Sequence, residues 1–260
     1  MNAISNILSI KKKKKTCALI PFLTAGYPNI EITIKALKIL SNQGADIIEL
    51  GIPYADALAD GPIIQESSKV ALQNNVYIDE VFYILSQVNK YLKAPIIIFT
   101  YYNPILVRGL SDFIISIAKY GVKGLVIPDL PLEEVDYILS LCKSSNIELI
   151  LFIAPTSSSN RISSILSKSP GCIYLVSSTG VTGTRKVINS SINNLSHYIK
   201  SNTDKQIMLG FGISSVDQVS EISKWNIDGI VIGSAFIKTI KTDPSLKLLS
   251  NFCEDIRQAM

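Results

Sequence analysis

Residues 47–65 read IIELGIPYADALADGPIIQ, and the opening four residues decide the fold. Ile47-Ile48-Glu49-Leu50 has the length and composition of a buried strand, yet it carries a carboxylate. Side chains alternate along a strand, so Ile47 and Glu49 share one face and Ile48 and Leu50 the other. A run that is apolar on both faces is the habit of a parallel sheet covered by helices. Gly51 and Pro53 end the strand, and a loop bearing Asp56 and Asp60 runs on to Gly61-Pro62. Burying an unpaired carboxylate is costly, so Glu49 needs either a partner or a task. A second acid eleven residues on, in the loop leaving the same strand end, favours chemistry over a satisfied ion pair.

Working outward, runs of the same kind recur at Ala18–Leu23, Ile96–Thr100, Leu125–Ile127, Leu149–Ile153, Ile173–Val176, Ile207–Leu209 and Ile230–Ile232. The stretches between them follow a helical period. Leu110, Phe113, Ile114, Ile117 and Ala118 fall on one helix face, as do Val81, Ile84, Leu85, Val88 and Leu92. Eight strand–helix units in 260 residues fit an α/β fold of the single (β/α)8 (TIM) barrel type better than a doubly wound sheet. No Ser-rich or Pro-rich linker divides the chain, so residues 1–260 read as one barrel domain. An N-terminal helix over about residues 2–10 would cap the bottom of the barrel. An extra helix near residues 65–73 would follow the long second loop, and residues 244–260 would form the last outer helix.

Composition narrows the function classes. The net charge of +4 is mild and much of it sits in Lys11–Lys15. That run has no interleaved aromatics and no second cluster, so it reads as a solvated surface rather than a nucleic-acid or membrane patch. Cys17, Cys142, Cys172 and Cys253 are scattered, and His197 is the only histidine. This argues against a structural zinc site and against a nucleophile that needs a histidine base. The start MNAISNILSI is too short and polar for a signal sequence, and no apolar run approaches a membrane span. The expectation is a soluble intracellular protein; abundant Ile, Lys, Asn and Ser point to an AT-rich genome, bacterial or plastid.

In such barrels the active site lies at the C-terminal strand ends. Past those ends come Thr24-Ala25-Gly26, then Asp56 and Asp60, then Tyr101-Tyr102-Asn103-Pro104, Asp129, and Pro155-Thr156. The late loops are the most informative. They are Ser177-Ser178-Thr179-Gly180-Val181-Thr182-Gly183, Gly210-Phe211-Gly212-Ile213-Ser214 and Gly233-Ser234-Ala235. Glycine lets backbone N–H groups approach an anion, and a helix opening at Ser234 would favour negative charge at its N-terminus. Their convergence predicts a phosphate site. No GxxxxGK[ST] occurs, so it is not a nucleotide P-loop. Gly180 and Gly183 flank Thr182, and Arg185 and Lys186 follow, so this segment is expected to close over a bound ester.

ELGIPYADALADGPIIQ also resembles the signature of the tryptophan synthase alpha subunit family: ELG, a proline, an aromatic, Ser-Asp-Pro, then LADGP-x-IQ. It departs at Ala55, where Ser is usual, and at Ala57, where Pro is usual. PFLTAGYP, IPDLP, STGVTG, GFGIS and the Ile-Gly-Ser-Ala after the last strand match as well, so the resemblance runs from about Phe22 to Ile237. It implies that Glu49 and Asp60 are the two catalytic acids. It places Thr182, Gly183, Gly212, Gly233 and Ser234 at the substrate phosphate or its mobile loop, and Phe22, Tyr101, Tyr102 and Tyr174 at or near the indole. The implied reaction is the reversible retro-aldol cleavage of indole-3-glycerol phosphate to indole and glyceraldehyde 3-phosphate. It needs no metal, Schiff-base lysine or redox cofactor. The implied partner is a pyridoxal-phosphate beta subunit in an alpha2beta2 complex, in bacterial cytoplasm or plastid stroma.

Other readings differ in what they require. An indole-glycerol-phosphate synthase or phosphoribosyl isomerase would share the fold and phosphate loops but lack ELGIPYADALADGP, and the synthase would need a strand-end lysine. A catalytically silent barrel need not keep both acids. A free-standing lyase that releases indole stays open, because Ala55 and Ala57 lie in the loop that resembles the docking surface.

Overall fold

The computed structural model describes residues 2–177, 190–210 and 212–260. Its parallel strands are β1 (Ala18–Thr24), β2 (Ile48–Gly51), β3 (Ile96–Phe99) and β4 (Gly124–Val126), then β5 (Glu148–Ile153), β6 (Ile173–Val176), β7 (Ile207–Gly210) and β8 (Gly229–Ile232). They pair in sequence order and close β1 on β8. Each strand begins and ends within one residue of the apolar run that foretold it, because a strand buried on both faces has to be apolar along its length. Some of the helices between them start at side-chain caps or prolines: Asn29 Oδ1 accepts from Ile32 N at 2.9 Å, and Pro62 opens the helix Pro62–Gln73.

Strand alternation sorts the interior into two cores. Ile20, Phe22, Ile47, Ile97, Phe99, Val126, Ile150, Tyr174, Met208 and Val231 pack inside the barrel. Their neighbours Leu19, Leu23, Ile48, Leu50, Ile98, Leu125, Leu149, Leu175, Leu209 and Ile230 face the helices. Glu49 belongs to the inner set by this alternation, and the register puts it beside Phe22 of β1 and Ile97 of β3.

The bottom of the barrel is plugged by the helix Ala3–Lys13, whose Ile4 and Leu8 are fully buried in the inner core. Glu148, at the start of β5, holds it there. One carboxylate oxygen accepts from Ser5 N at 3.0 Å; the other accepts from the Ser5 hydroxyl and from Cys172 N at 2.8 Å. Lys11 pairs with Asp46 at 2.6 Å, and Arg257 meets the same carboxylate at 2.9 Å. The lysine run is therefore solvated only from Lys12 to Lys15. With the bottom plugged by this helix, the candidate cavity lies at the C-terminal mouth of the barrel.

Candidate active site

Glu49 is fully buried in the barrel wall, and among the described residues neither of its carboxylate oxygens has a hydrogen-bond partner. An orphan buried acid of this kind is exceptional and asks for a role. Asp60 approaches the same cavity from the loop after β2 and is 4 % exposed. Several contacts fix that loop. Gln65 Nε2 donates to the carbonyls of Ala57 and Asp60 at 3.2 and 3.0 Å, and Ala57 is buried in the inner core. The Tyr101 hydroxyl donates to Asp60 Oδ2 at 3.0 Å and accepts from Ala59 N at 3.1 Å.

Both carboxyls are held above their ordinary range. Burial pushes Glu49 up to about 8, and the nearby Asp60 charge adds to it. Burial raises Asp60 to about 7, against the opposing pull of the Tyr101 hydrogen bond. Glu49, fully buried and without a hydrogen bond among the described residues, is pushed toward its neutral form, while the Tyr101 bond favours the ionised form of Asp60. Two acids with environments that separate them in this way can divide general-acid and electrostatic work.

Phe22, Ile64, Phe99, Tyr174, Ile213 and Val231 line the apolar part of the cavity. Phe22 and Phe99 meet edge to face at 5.8 Å and 86°. Glycines make room for the rings: Phe22 lies over Gly51, and Tyr174 lies where a Gly210 side chain would be. The far end is formed by Gly212, with φ of +82°, and by Gly233-Ser234 at the N-terminus of the helix Ser234–Thr242. Unpaired N–H groups at such a terminus accept an anion.

Seven of the residues expected from the sequence meet at this cavity: Glu49, Asp60, Phe22, Tyr174, Gly212, Gly233 and Ser234. Thr182 and Gly183 lie outside the described residues. Tyr102 needs correction as a cavity residue. It opens the short helix Tyr102–Arg108 and turns outward, where its N–H donates to Asp129 at 2.8 Å and its hydroxyl to Glu134 at 2.6 Å. Tyr101, still extended as the N-cap, is the tyrosine that faces inward and reaches Asp60. Ile64, Phe99, Ile213 and Val231 were missed. Alternation along the β3 and β8 runs would have found Phe99 and Val231.

A bottom-sealed (β/α)8 barrel with a proton-bearing acid and an ionisable acid in one apolar mouth is built as an acid–base enzyme. Comparison with known proteins makes this particular. A family model described as Tryptophan synthase alpha chain matches residues 8–257. A tryptophan synthase alpha chain from Gracilaria tenuistipitata var. liui is 61% identical, over 100% of this chain and 97% of the relative. One from Synechocystis is 46% identical over 100% of both. A solved structure of Mycobacterium tuberculosis tryptophan synthase superposes with a TM-score of 0.93 at 27% identity, covering 99% of this chain and 98% of that one. The tryptophan synthase subunit alpha of Legionella pneumophila gives 0.90 at 28%, covering 100% and 98%. The chain belongs to the tryptophan synthase alpha chain family, the lyases responsible for the indole-3-glycerol phosphate cleavage half-reaction.

Proposed function

We propose that Glu49 and Asp60 carry that cleavage in this chain. The reading rests on one observation: a fully buried carboxyl with no partner among the described residues faces the same cavity as a second, hydrogen-bonded acid. The bond between the indole ring carbon and the glycerol chain breaks when the ring carbon gains a proton and the adjacent hydroxyl loses one. Glu49, whose burial favours the protonated form, gives the first and takes back the second, so the carboxyl ends as it began and no water is consumed. The electron pair of the hydroxyl O–H bond becomes the aldehyde π bond, and the pair of the broken carbon–carbon bond returns to the indole ring. Ionised Asp60 beside the indole N–H would stabilise the positive charge on the protonated ring. Phe22, Phe99 and Tyr174 would sandwich the indole. Gly212, Gly233 and Ser234 would hold the phosphate, with Thr182 and Gly183 closing from the adjacent loop, so that remote binding energy orients the reacting bond.

A beta subunit is the proposed recipient of the indole. Leu58, in the loop that carries Asp60, is 84% exposed, and Val107 on the helix Tyr102–Arg108 is 83% exposed. Exposed apolar side chains on these two neighbouring loops at the barrel mouth support docking there, next to the cavity. Among the described residues no helix is long and apolar enough to cross a membrane. Relatives from red algae and cyanobacteria support a bacterial cytoplasm or plastid stroma as the location.

The test is to add indole-3-glycerol phosphate to the purified chain and assay indole and glyceraldehyde 3-phosphate, with and without a beta subunit. Equimolar products that vanish in Glu49→Gln support the proposal. Unchanged turnover in Glu49→Gln or in Asp60→Asn would overturn it. Equal rates with and without the beta subunit would instead favour a free-standing lyase.

A further inference from the structure

The loop that carries Asp60 lacks the proline usual at position 57; besides the Gln65 bonds to its carbonyls, one hydroxyl grips both its backbone and the Asp60 side chain. Tyr101 Oη touches the loop twice: it accepts from the Ala59 N–H at 3.1 Å and donates to Asp60 Oδ2 at 3.0 Å. The direction of the second bond follows once Asp60 is ionised, because a carboxylate can only accept. A backbone N–H can only donate, so the hydroxyl accepts from Ala59, and its own proton is free to go to the ionised carboxylate. Accepting one hydrogen bond also polarises the hydroxyl and strengthens the bond it donates. The ring itself cannot swing away. It is 3% exposed, meets Phe99 edge to face at 6.1 Å, and lies against Tyr54 at 5.1 Å.

Tyr101 meets the candidate site through the Asp60 carboxylate that its hydroxyl touches. We infer that Tyr101 is a positioning residue that locks the Asp60 carboxylate, in its ionised form, at the mouth of the barrel before substrate or partner arrives. The inference rests on the proposed role of Asp60 and adds the group that holds it ready. The same clamp ties the cavity to the rim. Tyr101 is the N-cap of the helix Tyr102–Arg108, whose first N–H is taken by Asp129 and whose outer face bears Leu106 and Val107. A movement of that helix therefore has a direct route to the Asp60 carboxylate, through one side chain.

Among the described residues, several groups that bear on Asp60 can be named. Tyr101 comes from the end of β3, Glu49 from β2 and Tyr174 from β6, and Asp129 after β4 bears on Tyr101. The Tyr101 contact favours the ionised carboxylate, because it donates to it, and the neighbouring Glu49 acid opposes it. Loss of the hydroxyl should thus make Asp60 harder to ionise.

Tyr101→Phe keeps the ring and its packing and removes the clamp. The experiment measures turnover against pH and titrates Asp60 by carboxyl carbon NMR in the wild type and the variant. Turnover should fall about tenfold or more, the scale of one charge-assisted hydrogen bond, with KM for indole-3-glycerol phosphate little changed. The acid limb of the profile and the Asp60 titration should both move to higher pH. In an Asp60→Asn background, Tyr101→Phe should cost almost nothing further, because the group it serves is gone. An unmoved Asp60 titration, or a Tyr101→Phe loss that multiplies in full with that of Asp60→Asn, would overturn the inference and reduce Tyr101 to core packing. Should Asp60→Asn alone keep full turnover, the fault would lie with the role given to Asp60, a distinct result. The NMR titration needs no turnover and reads the clamp in either case.

Discussion

Gly51 lies beneath the ring of Phe22, so closely that a Cβ there would stand 2.6 Å from Phe22 Cζ and 2.8 Å from Cε2. Neighbouring strands set this contact: Phe22 pairs in register with Glu49, and Gly51 is the next inward position of β2. The ring covers the strand end just past the acid, and only a missing side chain lets it lie flat.

Gly51→Ala should push the Phe22 ring into the cavity. Overpacking of this kind costs on the order of 1–3 kcal/mol, and the ring would occupy space meant for a ligand. KM should rise about tenfold while the pH profile keeps its shape. Thermal unfolding and steady-state kinetics check both; an unchanged KM would mean the ring has room to retreat.

Glu49→Gln should abolish turnover, by roughly 10²–10⁴-fold or more, while leaving ligand affinity close to normal. The amide keeps shape and burial but holds no transferable proton. Retained affinity is read by calorimetry with indole-3-glycerol phosphate, and turnover that stayed within a fewfold of wild type would make the acid structural.

The same variant should be more stable than the wild type at alkaline pH. Glu49 has an ordinary value of 4.5 and is pushed up to about 8 in the folded chain. Between those values the folded chain holds a proton that the unfolded chain has released, so stability falls as pH rises across the window. Below about pH 4.5 the carboxyl is neutral in both states and the difference closes. Unfolding midpoints of wild type and Glu49→Gln should therefore agree near the acid end and diverge toward pH 8 and above, with the glutamine protein higher. Parallel midpoints across the range would contradict the assigned burial.

Glu148→Ala concerns the opposite end of the barrel. The change strands the backbone donors of Ser5 and Cys172, and each buried unsatisfied group costs about 1–3 kcal/mol. A loss of stability without a change in KM is expected. Hydrogen exchange should quicken in the helix Ala3–Lys13 first, and uniform quickening throughout the barrel would argue against a local latch.

Tyr102→Phe is the control for its neighbour. Its hydroxyl meets Glu134 at the surface, where such a bond contributes little. Turnover should stay within about twofold of wild type by that reasoning; a large loss would return Tyr102 to the cavity.

These two tyrosines show where sequence is legible and where it stops. The barrel could be read because burial on both faces imposes apolar runs of fixed length, and eight such runs became eight strands. Glu49 stood out because a charge has no business in such a run unless it is partnered or used. Tyr101 and Tyr102 are identical in composition and adjacent. Which one turns inward depends on whether β3 has ended and the next helix begun, a boundary set by the Asp129 bond to the Tyr102 N–H. That bond joins residues from two loops and leaves no local signature. Glu148 was passed over for a similar reason: an acid at the bottom end of a strand reads as solvent-facing until the plug helix is seen to cover it. Gly51 reads as a strand end and Gly210 as part of a phosphate loop, whereas the structure shows each making room for a ring, Phe22 and Tyr174, across the strand.

The seams of the barrel also govern its assembly in time. Ser5 and Glu148 are 143 residues apart, and β1 pairs with β8 through Ala18 and Gly229. Contacts so distant along the chain form late. During synthesis on the ribosome the plug helix has nothing to latch onto until β5 emerges, and β1 keeps an open edge until β8 does. A nascent chain halted before Gly229 holds an unclosed sheet whose free edges, β1 and β7, are ready templates for other strands, so crowded partly made molecules should stick to one another there.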